Sequence, residues 1–173
     1  GLRQLHTLNI NETGITGICD NIFELPSLRT LKVYNIGIPF AVVDKIGKLS
    51  NLETLEAVLP SNSMISPSIG NCSGLKNLRL SGDGTQLIPE ELYSCTELET
   101  LYLYDLKGTI SDRIGDLSDL LYIGFTGRNI SGRIPQSISN LNKVRQITIK
   151  GTSVSGTIPE DIDNLQNLEC LWM

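Results

Sequence analysis

The sequence predicts an α/β-type solenoid, in which successive coils of chain stack and each adds one strand to a parallel β-sheet. Three observations predict this fold. An apolar anchor recurs at near-constant spacing, each anchor is followed by apolar residues three and five positions later, and residues 120–143 align with residues 144–167 along their whole length. Because neither stretch has a second layer to cover its apolar side chains, such a chain buries its core by stacking copies.

The anchors place residues 1–173 in a single solenoid domain. They are Leu5, Leu28, Leu52, Leu75, Leu98, Leu120, Val144 and Leu168, and subtraction gives steps of 23, 24, 23, 23, 22, 24 and 24 residues. Side chains that alternate in and out after each anchor predict a short strand. We therefore expect a right-handed stack of about seven full coils plus a partial one, with the parallel strands on the concave face and coil or 3-10 turns on the convex side.

Two late units share a Gly-x-Ile-Pro motif, at residues 132–135 and 156–159, and Gly108 with Ile110 is a partial copy. In this motif and in its leucine spacing, the sequence resembles the plant-specific type of leucine-rich repeat, found in plant receptor-kinase ectodomains, receptor-like proteins and polygalacturonase inhibitors. The resemblance implies a secreted or cell-surface recognition module without catalytic activity. Its concave face would bind a protein, a peptide or a polysaccharide such as a cell-wall glycan.

The sequence departs from this repeat type in one column. The position that the repeat type fills with Asn holds Thr13, Ile36, Pro60, Asp83, Leu106, Arg128 and Thr152. The ladder of Asn side chains that would satisfy buried backbone groups is therefore missing. Because buried backbone groups need hydrogen-bond partners, we expect other partners to replace the ladder, above all beside Ile36, Pro60 and Leu106.

Composition and motifs argue against several classes of function. A net charge of −5 and a pI near 4.9 do not suit a nucleic-acid partner. The longest apolar run, residues 36–43, is too short to insert into a membrane. The single histidine, His6, and the four cysteines have no zinc-ligand spacing, and no phosphate-binding loop occurs. We therefore predict no enzyme site, cofactor or metal, and we interpret Cys72 and Cys95, which occupy leucine columns, as buried thiols.

Side chains that point outward from the predicted strands are the candidates for binding. Tyr, Trp and Arg dominate interface energetics, and several lie in these columns. The candidate ligand-binding residues are Tyr34, Arg79, Tyr102, Tyr104, Tyr122, Lys150 and Trp172. A second interpretation stays open, because tyrosine also suits exposed strand positions that bind nothing.

The sequons and the chain ends lead to two further expectations. Asn11, Asn71 and Asn129 each begin an Asn-x-Ser/Thr sequon and are candidate glycosylation sites. Solenoids normally carry polar caps, and the first and last units here have none, so we expect a fragment of a longer protein. The alternative function is structural: a matrix or filament component whose uncapped coils self-associate end to end.

Overall fold

We describe the fold from a computed structural model, which describes residues 1–11, 15, 18–34 and 45–173. Its strands are β1 (Thr7–Asn11), β2 (Thr30–Tyr34), β3 (Thr54–Val58), β4 (Asn77–Ser81), β5 (Thr100–Tyr104), β6 (Gly108–Thr109), β7 (Tyr122–Thr126), β8 (Ile130–Gly132), β9 (Gln146–Lys150), β10 (Ser153–Val154) and β11 (Cys170–Trp172). Thr13, Ile36 and the apolar run at 36–43, which the sequence analysis singled out, lie outside the described residues.

Eight of the strands form one parallel sheet in the order β1-β2-β3-β4-β5-β7-β9-β11. Each strand pairs with the strand one coil away, and the leucines stay in register, so that Leu31 pairs with Leu55 and Leu78 pairs with Leu101. A one-residue slip would turn every apolar side chain to the outer face, and burial of that face therefore sets the register. The predicted solenoid with a parallel sheet is confirmed.

Short 3-10 turns form the side of each coil opposite the sheet. They span Asp20–Glu24, Ile46–Lys48, Pro67–Asn71, Glu90–Ser94, Asp112–Asp116, Gln136–Asn140 and Glu160–Asn164. Side chains or prolines start most of them: the Ser66 and Ser111 hydroxyls each accept a backbone N–H at 3.1 Å, and Pro89, Pro135 and Pro159 precede three others. The predicted convex side of 3-10 turns is confirmed.

A second, three-stranded parallel sheet of β10, β8 and β6 flanks the last coils, and the sequence analysis did not predict it. It lies where the Gly-x-Ile-Pro motif occurs. Gly132 and Gly156 have φ angles of +87° and +98°, a left-handed conformation that suits glycine and turns the chain from this sheet toward the 3-10 turn.

The core runs along the inside of the stack, between the large sheet and the 3-10 turns. The six anchors from Leu28 to Val144 are fully buried. Cys72 and Cys95 are fully buried as well, and their thiols donate to the carbonyls of Ile46 at 3.4 Å and Ile69 at 3.3 Å. Burial raises the pKa of Cys72 to about 12 and that of Cys95 to about 11. Both cysteines are therefore protonated, buried thiols, as predicted.

A buried glutamine replaces the missing Asn ladder between two of the coils. Gln86 is only 1% exposed, its Nε2 donates to the Pro60 carbonyl at 2.7 Å, and its Oε1 accepts from the Asp83 N–H at 3.0 Å. One side chain thus satisfies backbone groups of two neighbouring coils. Leu106 lies in the column that the repeat type fills with Asn, and it is fully buried in the core. This coil therefore fills the column with an apolar side chain.

Candidate binding face

The outward side of the eight-stranded sheet forms the concave face. Alternation along each strand sends one set of side chains into the core and the other set onto this face. In β4, for example, Leu78 and Leu80 are fully buried, whereas Arg79 between them is exposed. Strand register then sets the neighbours of each outward residue: Glu56 lies opposite Arg79, and Arg79 lies opposite Tyr102.

Three of the predicted binding residues form one contiguous group, which we call the Tyr102 platform: Arg79, Tyr102 and Tyr104. The two tyrosine rings stack with centroids 5.8 Å apart and an interplanar angle of 4°. The Arg79 guanidinium carbon lies 4.7 Å from the centroid of the Tyr102 ring, a cation–π contact. Burial, followed by the nearby Tyr104, raises the pKa of Tyr102, so its hydroxyl is a hydrogen-bond donor at neutral pH.

Gly124 provides the space that the Tyr102 ring occupies. It lies opposite Tyr102 on the next strand, and a Cβ built there would be 2.3 Å from Tyr102 Cδ1. The ring therefore leans along the sheet over a residue with no side chain. Gly124 is not among the binding residues predicted from the sequence, although a glycine within a strand often marks a close approach of another group.

Next to the platform, Lys32, Tyr34 and Glu56 form a polar group, which we call the Glu56 cluster. Lys32 Nζ lies 3.0 Å from Glu56 Oε1, and the Tyr34 hydroxyl donates to Glu56 Oε2. Burial alone raises the pKa of Glu56, but the hydrogen bonds from Tyr34 and Lys32 outweigh it and hold the pKa below its ordinary value. Burial and the Glu56 carboxylate both raise the pKa of Tyr34. Both carboxylate oxygens are thus engaged, which leaves Arg79 to stack on Tyr102.

The other predicted residues lie farther along the same face. Tyr122 begins β7 and is 38% exposed, and Lys150 ends β9, opposite Thr126, with its side chain exposed. Trp172 is 58% exposed on β11, three strands from the Tyr102 platform in the sheet order. The structure therefore brings Arg79, Tyr102 and Tyr104 together, with Tyr34 beside them through Glu56, and it keeps Trp172 apart.

Charge is distributed unevenly between the two sides of the stack. The strands of the eight-stranded sheet carry Lys32, Arg79 and Lys150 against the single Glu56, a net charge of 3 − 1 = +2. The 3-10 turns carry nine acidic residues (Asp20, Glu24, Glu90, Glu91, Asp112, Asp116, Glu160, Asp161 and Asp163) against Lys48 and Arg113, which gives 2 − 9 = −7. The concave face is therefore positive in a chain whose net charge is −5.

The three sequons lie in different environments. Asn11 ends β1 and is partly buried, and the Thr13 of its sequon lies outside the described residues. Asn71 is exposed at the end of a 3-10 turn. Asn129 is also exposed, and its Nδ2 donates to the Gly84 carbonyl at 3.1 Å. Glycosylation of these three residues stays a prediction.

The described part of the chain contains neither a membrane-spanning helix nor a group of metal-binding side chains. No helix among residues 1–11, 18–34 and 45–173 is long and apolar enough to cross a membrane. Within the same part of the chain, no three His, Cys, Asp or Glu side chains are grouped so that they could hold a metal ion.

Comparison with known proteins links this geometry to one fold. Over 98% of this chain, the plant peptide hormone receptor RGFR1 in complex with RGF2 superimposes with a TM-score of 0.84 at 26% identity. The Arabidopsis receptor kinase HAESA, in complex with the peptide hormone IDA and the co-receptor SERK1, superimposes over 99% with a TM-score of 0.89 at 25% identity. This chain is a divergent leucine-rich-repeat protein.

Bacterial proteins share the leucine-rich-repeat fold with this chain at lower sequence identity, and this likeness concerns the fold only. Internalin C2 of Listeria monocytogenes superimposes over 99% of this chain and 73% of its own, with a TM-score of 0.76 at 19% identity. This chain spans only 29% of RGFR1 and 30% of HAESA. No protein-family model and no curated protein matches the sequence. These similarities give no support to a polysaccharide ligand or to end-to-end self-association.

Proposed function

We propose that this leucine-rich-repeat protein is a non-catalytic, extracellular recognition module that binds a protein or peptide on its concave face. The peptide-hormone complexes of RGFR1 and HAESA support a protein or peptide partner. Because both of those proteins are receptors, they also support a location outside the cell or on its surface. The part of the receptor kinase HAESA that resembles this chain is its leucine-rich-repeat ectodomain, which supports a role without catalysis.

The Tyr102 platform is the observation that carries the proposal. Tyr102 is held between Arg79, Tyr104 and the bare backbone of Gly124, so its ring is fixed before any partner arrives. A fixed aromatic ring loses little side-chain entropy on binding, and about 0.5–1.5 kcal/mol is saved for each side chain that is already ordered. Tyr and Arg are among the residue types that provide most of the free energy of binding at interfaces, and here both lie on the outer face of a sheet.

A display experiment tests the proposal. Peptides selected from a random library against the immobilised chain should bind the unaltered protein and lose at least about tenfold in affinity with the Tyr102→Ala/Tyr104→Ala double variant, since truncation of interface anchors typically costs 2 kcal/mol or more. Circular dichroism should show that the double variant remains folded, because both rings lie on the outer face.

A matched control separates the face from the rest of the surface. Leu87 is 62% exposed and lies outside the eight-stranded sheet, so Leu87→Ala removes apolar surface elsewhere and should leave the affinity of the selected peptides unchanged. Selected peptides that bind the double variant as tightly as the unaltered protein would contradict the proposed site.

A further inference from the structure

We propose that the ligand is an acidic peptide in extended conformation, which places two carboxylates four residues apart on Arg79 and Lys150 and an apolar side chain between them on the tyrosine rings. This inference rests on the proposed function, because it specifies the chemistry of the partner for the same face. It is carried by the charges, the register and the spacing of the side chains there.

The concave face presents basic side chains that are not neutralised by acidic neighbours. Glu56 is the only acidic residue in the described strands of the eight-stranded sheet, and Lys32 and Tyr34 engage both of its oxygens. Arg79 and Lys150 form no salt bridge within the described part of the chain, whereas Lys32 pairs with Glu56. The Arg79 guanidinium carbon lies 4.7 Å from the centroid of the Tyr102 ring, and no side chain of the described residues accepts from its N–H donors through a salt bridge. The face therefore offers two basic side chains that a partner's carboxylates can pair with.

The second step is the distance between these two cations. Arg79 is on β4 and Lys150 is on β9, three steps apart in the order β4-β5-β7-β9. Three steps of roughly 4.8 Å amount to roughly 14 Å, and an offset of two residues along the strands adds roughly 6.6 Å at right angles, so the two Cα atoms lie on the order of 16 Å apart. The diagonal between them crosses β5 between Tyr102 and Tyr104.

The third step matches this distance to a peptide. In an extended chain, residues i, i+2 and i+4 point to the same side, and i and i+4 are separated by roughly 13 Å. The length of the Lys and Arg side chains covers the remaining few ångströms. Carboxylates at i and i+4 then reach Lys150 and Arg79, and the side chain at i+2 lies over the stacked rings. Two carboxylates that are two residues apart in the peptide are too close together to reach both Lys150 and Arg79, and two that are eight residues apart are too far from each other.

The position of the acidic residues on the opposite side adds to the argument. The 3-10 turns carry a net charge of −7, whereas the sheet carries +2. An acidic peptide is therefore repelled from the convex side and attracted to the concave face, which favours encounter in the productive orientation.

The experiment uses defined peptides and the full chain. The probe is the fluorescently labelled peptide Ser-Glu-Ser-Leu-Ser-Glu-Ser, acetylated and amidated so that only its two internal carboxylates are charged, and its binding is measured by fluorescence anisotropy. We expect at least tenfold weaker binding when both Glu are replaced by Gln, when Leu is replaced by Ser, or when the Glu spacing is two. We also expect the affinity to fall as salt rises.

A charge exchange gives the sharpest test. The Arg79→Glu/Lys150→Glu variant should no longer bind the acidic probe, and it should bind the same peptide with Lys in place of both Glu residues. The matched control is Lys107→Glu/Arg128→Glu, which makes the same change of net charge at two exposed positions outside the eight-stranded sheet and should retain the acidic probe. Equal binding of the Gln peptide, or equal loss with the control variant, would overturn the inference.

Three further outcomes decide between a peptide and a polysaccharide ligand, and between failure of this inference and failure of the proposed function. If soluble polygalacturonate competes as well per carboxylate as the peptide does, the ligand is an acidic polysaccharide and the peptide assignment is wrong. If library peptides require Tyr102 and Tyr104 but contain no acidic pair, the proposed function stands and this inference fails. If library peptides ignore both tyrosines, the proposed function itself fails.

Discussion

Asn129 and Gly84 are 45 positions apart in the chain, and the Asn129 amide donates to the Gly84 carbonyl at 3.1 Å. The two residues belong to coils that are not sequence neighbours, because the coil that begins at Leu98 lies between them. That coil is 22 residues long, from anchor 98 to anchor 120, and it turns tightly at Asp105, whose φ is +49°. On this flank one side chain therefore joins the two coils on either side of it.

We expect Asn129→Asp to destabilise the stack by about 1 kcal/mol, because a carboxylate of the same shape cannot donate to the Gly84 carbonyl. Urea denaturation of protein made in a host that attaches no N-glycans measures the change. Ser131→Ala is the matched control, since it removes the same sequon but keeps the amide. Equal stability of the two variants would show that the contact between the coils contributes nothing.

The regular part of the fold could be predicted from the sequence, because the anchor spacing and the alternation after each anchor report burial directly. The residues that were missed have no periodic signal. Gln86 is polar and stands outside the repeating apolar columns, yet it lies 1% exposed between two coils, where the backbone groups around it are its hydrogen-bond partners. The hydrogen bond from Tyr34 to Glu56 joins different outward columns and depends on side-chain rotamers, which spacing does not encode.

The site could be predicted only in part for the same reason. The alternation of side chains after each anchor predicted that Arg79, Tyr102 and Tyr104 point outward from adjacent strands. Their contacts then follow from the register of those strands. Gly124 has no side chain, so its position in the sequence does not mark it as part of the site. Its importance comes from the direction in which the Tyr102 ring leans, and a single sequence does not contain that direction.

Gly124→Ala should weaken ligand binding more than it weakens the fold. The new Cβ would lie 2.3 Å from Tyr102 Cδ1, so the ring must rotate away and leave Arg79. Tyr102 is on the outer face and can move, and alanine suits a strand at least as well as glycine, so we expect a stability change within about 1 kcal/mol. Affinity for the acidic probe should fall roughly five- to tenfold, the equivalent of losing one cation–π contact and one ordered ring. The affinity for the probe checks the expected loss of binding, and the midpoint of urea denaturation checks the expected small change in stability. Loss of stability without loss of affinity would contradict the role of Gly124.

The four cysteines should separate into two classes in an alkylation experiment. All are free; Cys19 and Cys170 are exposed, whereas Cys72 and Cys95 are fully buried and their pKa values are raised by burial. The thiolate is the reactive form, so iodoacetamide at pH 8 should label Cys19 and Cys170 in the native protein and reach the other two only after unfolding. Peptide mass spectrometry counts the labelled sites. Rapid native labelling of Cys72 would show that the core between these coils is open.

The Glu56 cluster predicts how stability changes with pH. Because the folded pKa of Glu56 lies below its ordinary value of 4.5, its carboxylate stabilises the folded state at higher pH, and this contribution is lost as pH falls through the folded pKa. Glu56→Gln should therefore destabilise the protein by about 1 kcal/mol at pH 7, a figure kept small because the cluster is partly open to solvent. The difference between variant and unaltered protein should shrink as the pH falls below 4.5, where the unaltered side chain also becomes neutral.

Urea denaturation at a series of pH values between 3 and 7 measures this difference. Glu53→Gln is the control: Glu53 pairs with Arg29 on the neighbouring coil, but both side chains are well exposed, so its loss should change the free energy of unfolding at pH 7 by only a few tenths of a kcal/mol. A Glu56→Gln difference that stays constant from pH 7 to pH 3 would mean that the ionised carboxylate is not what holds Lys32 and Tyr34 in place. In that case the engagement of Glu56 by Lys32 and Tyr34 would no longer explain why Arg79 stacks on the Tyr102 ring and does not pair with Glu56.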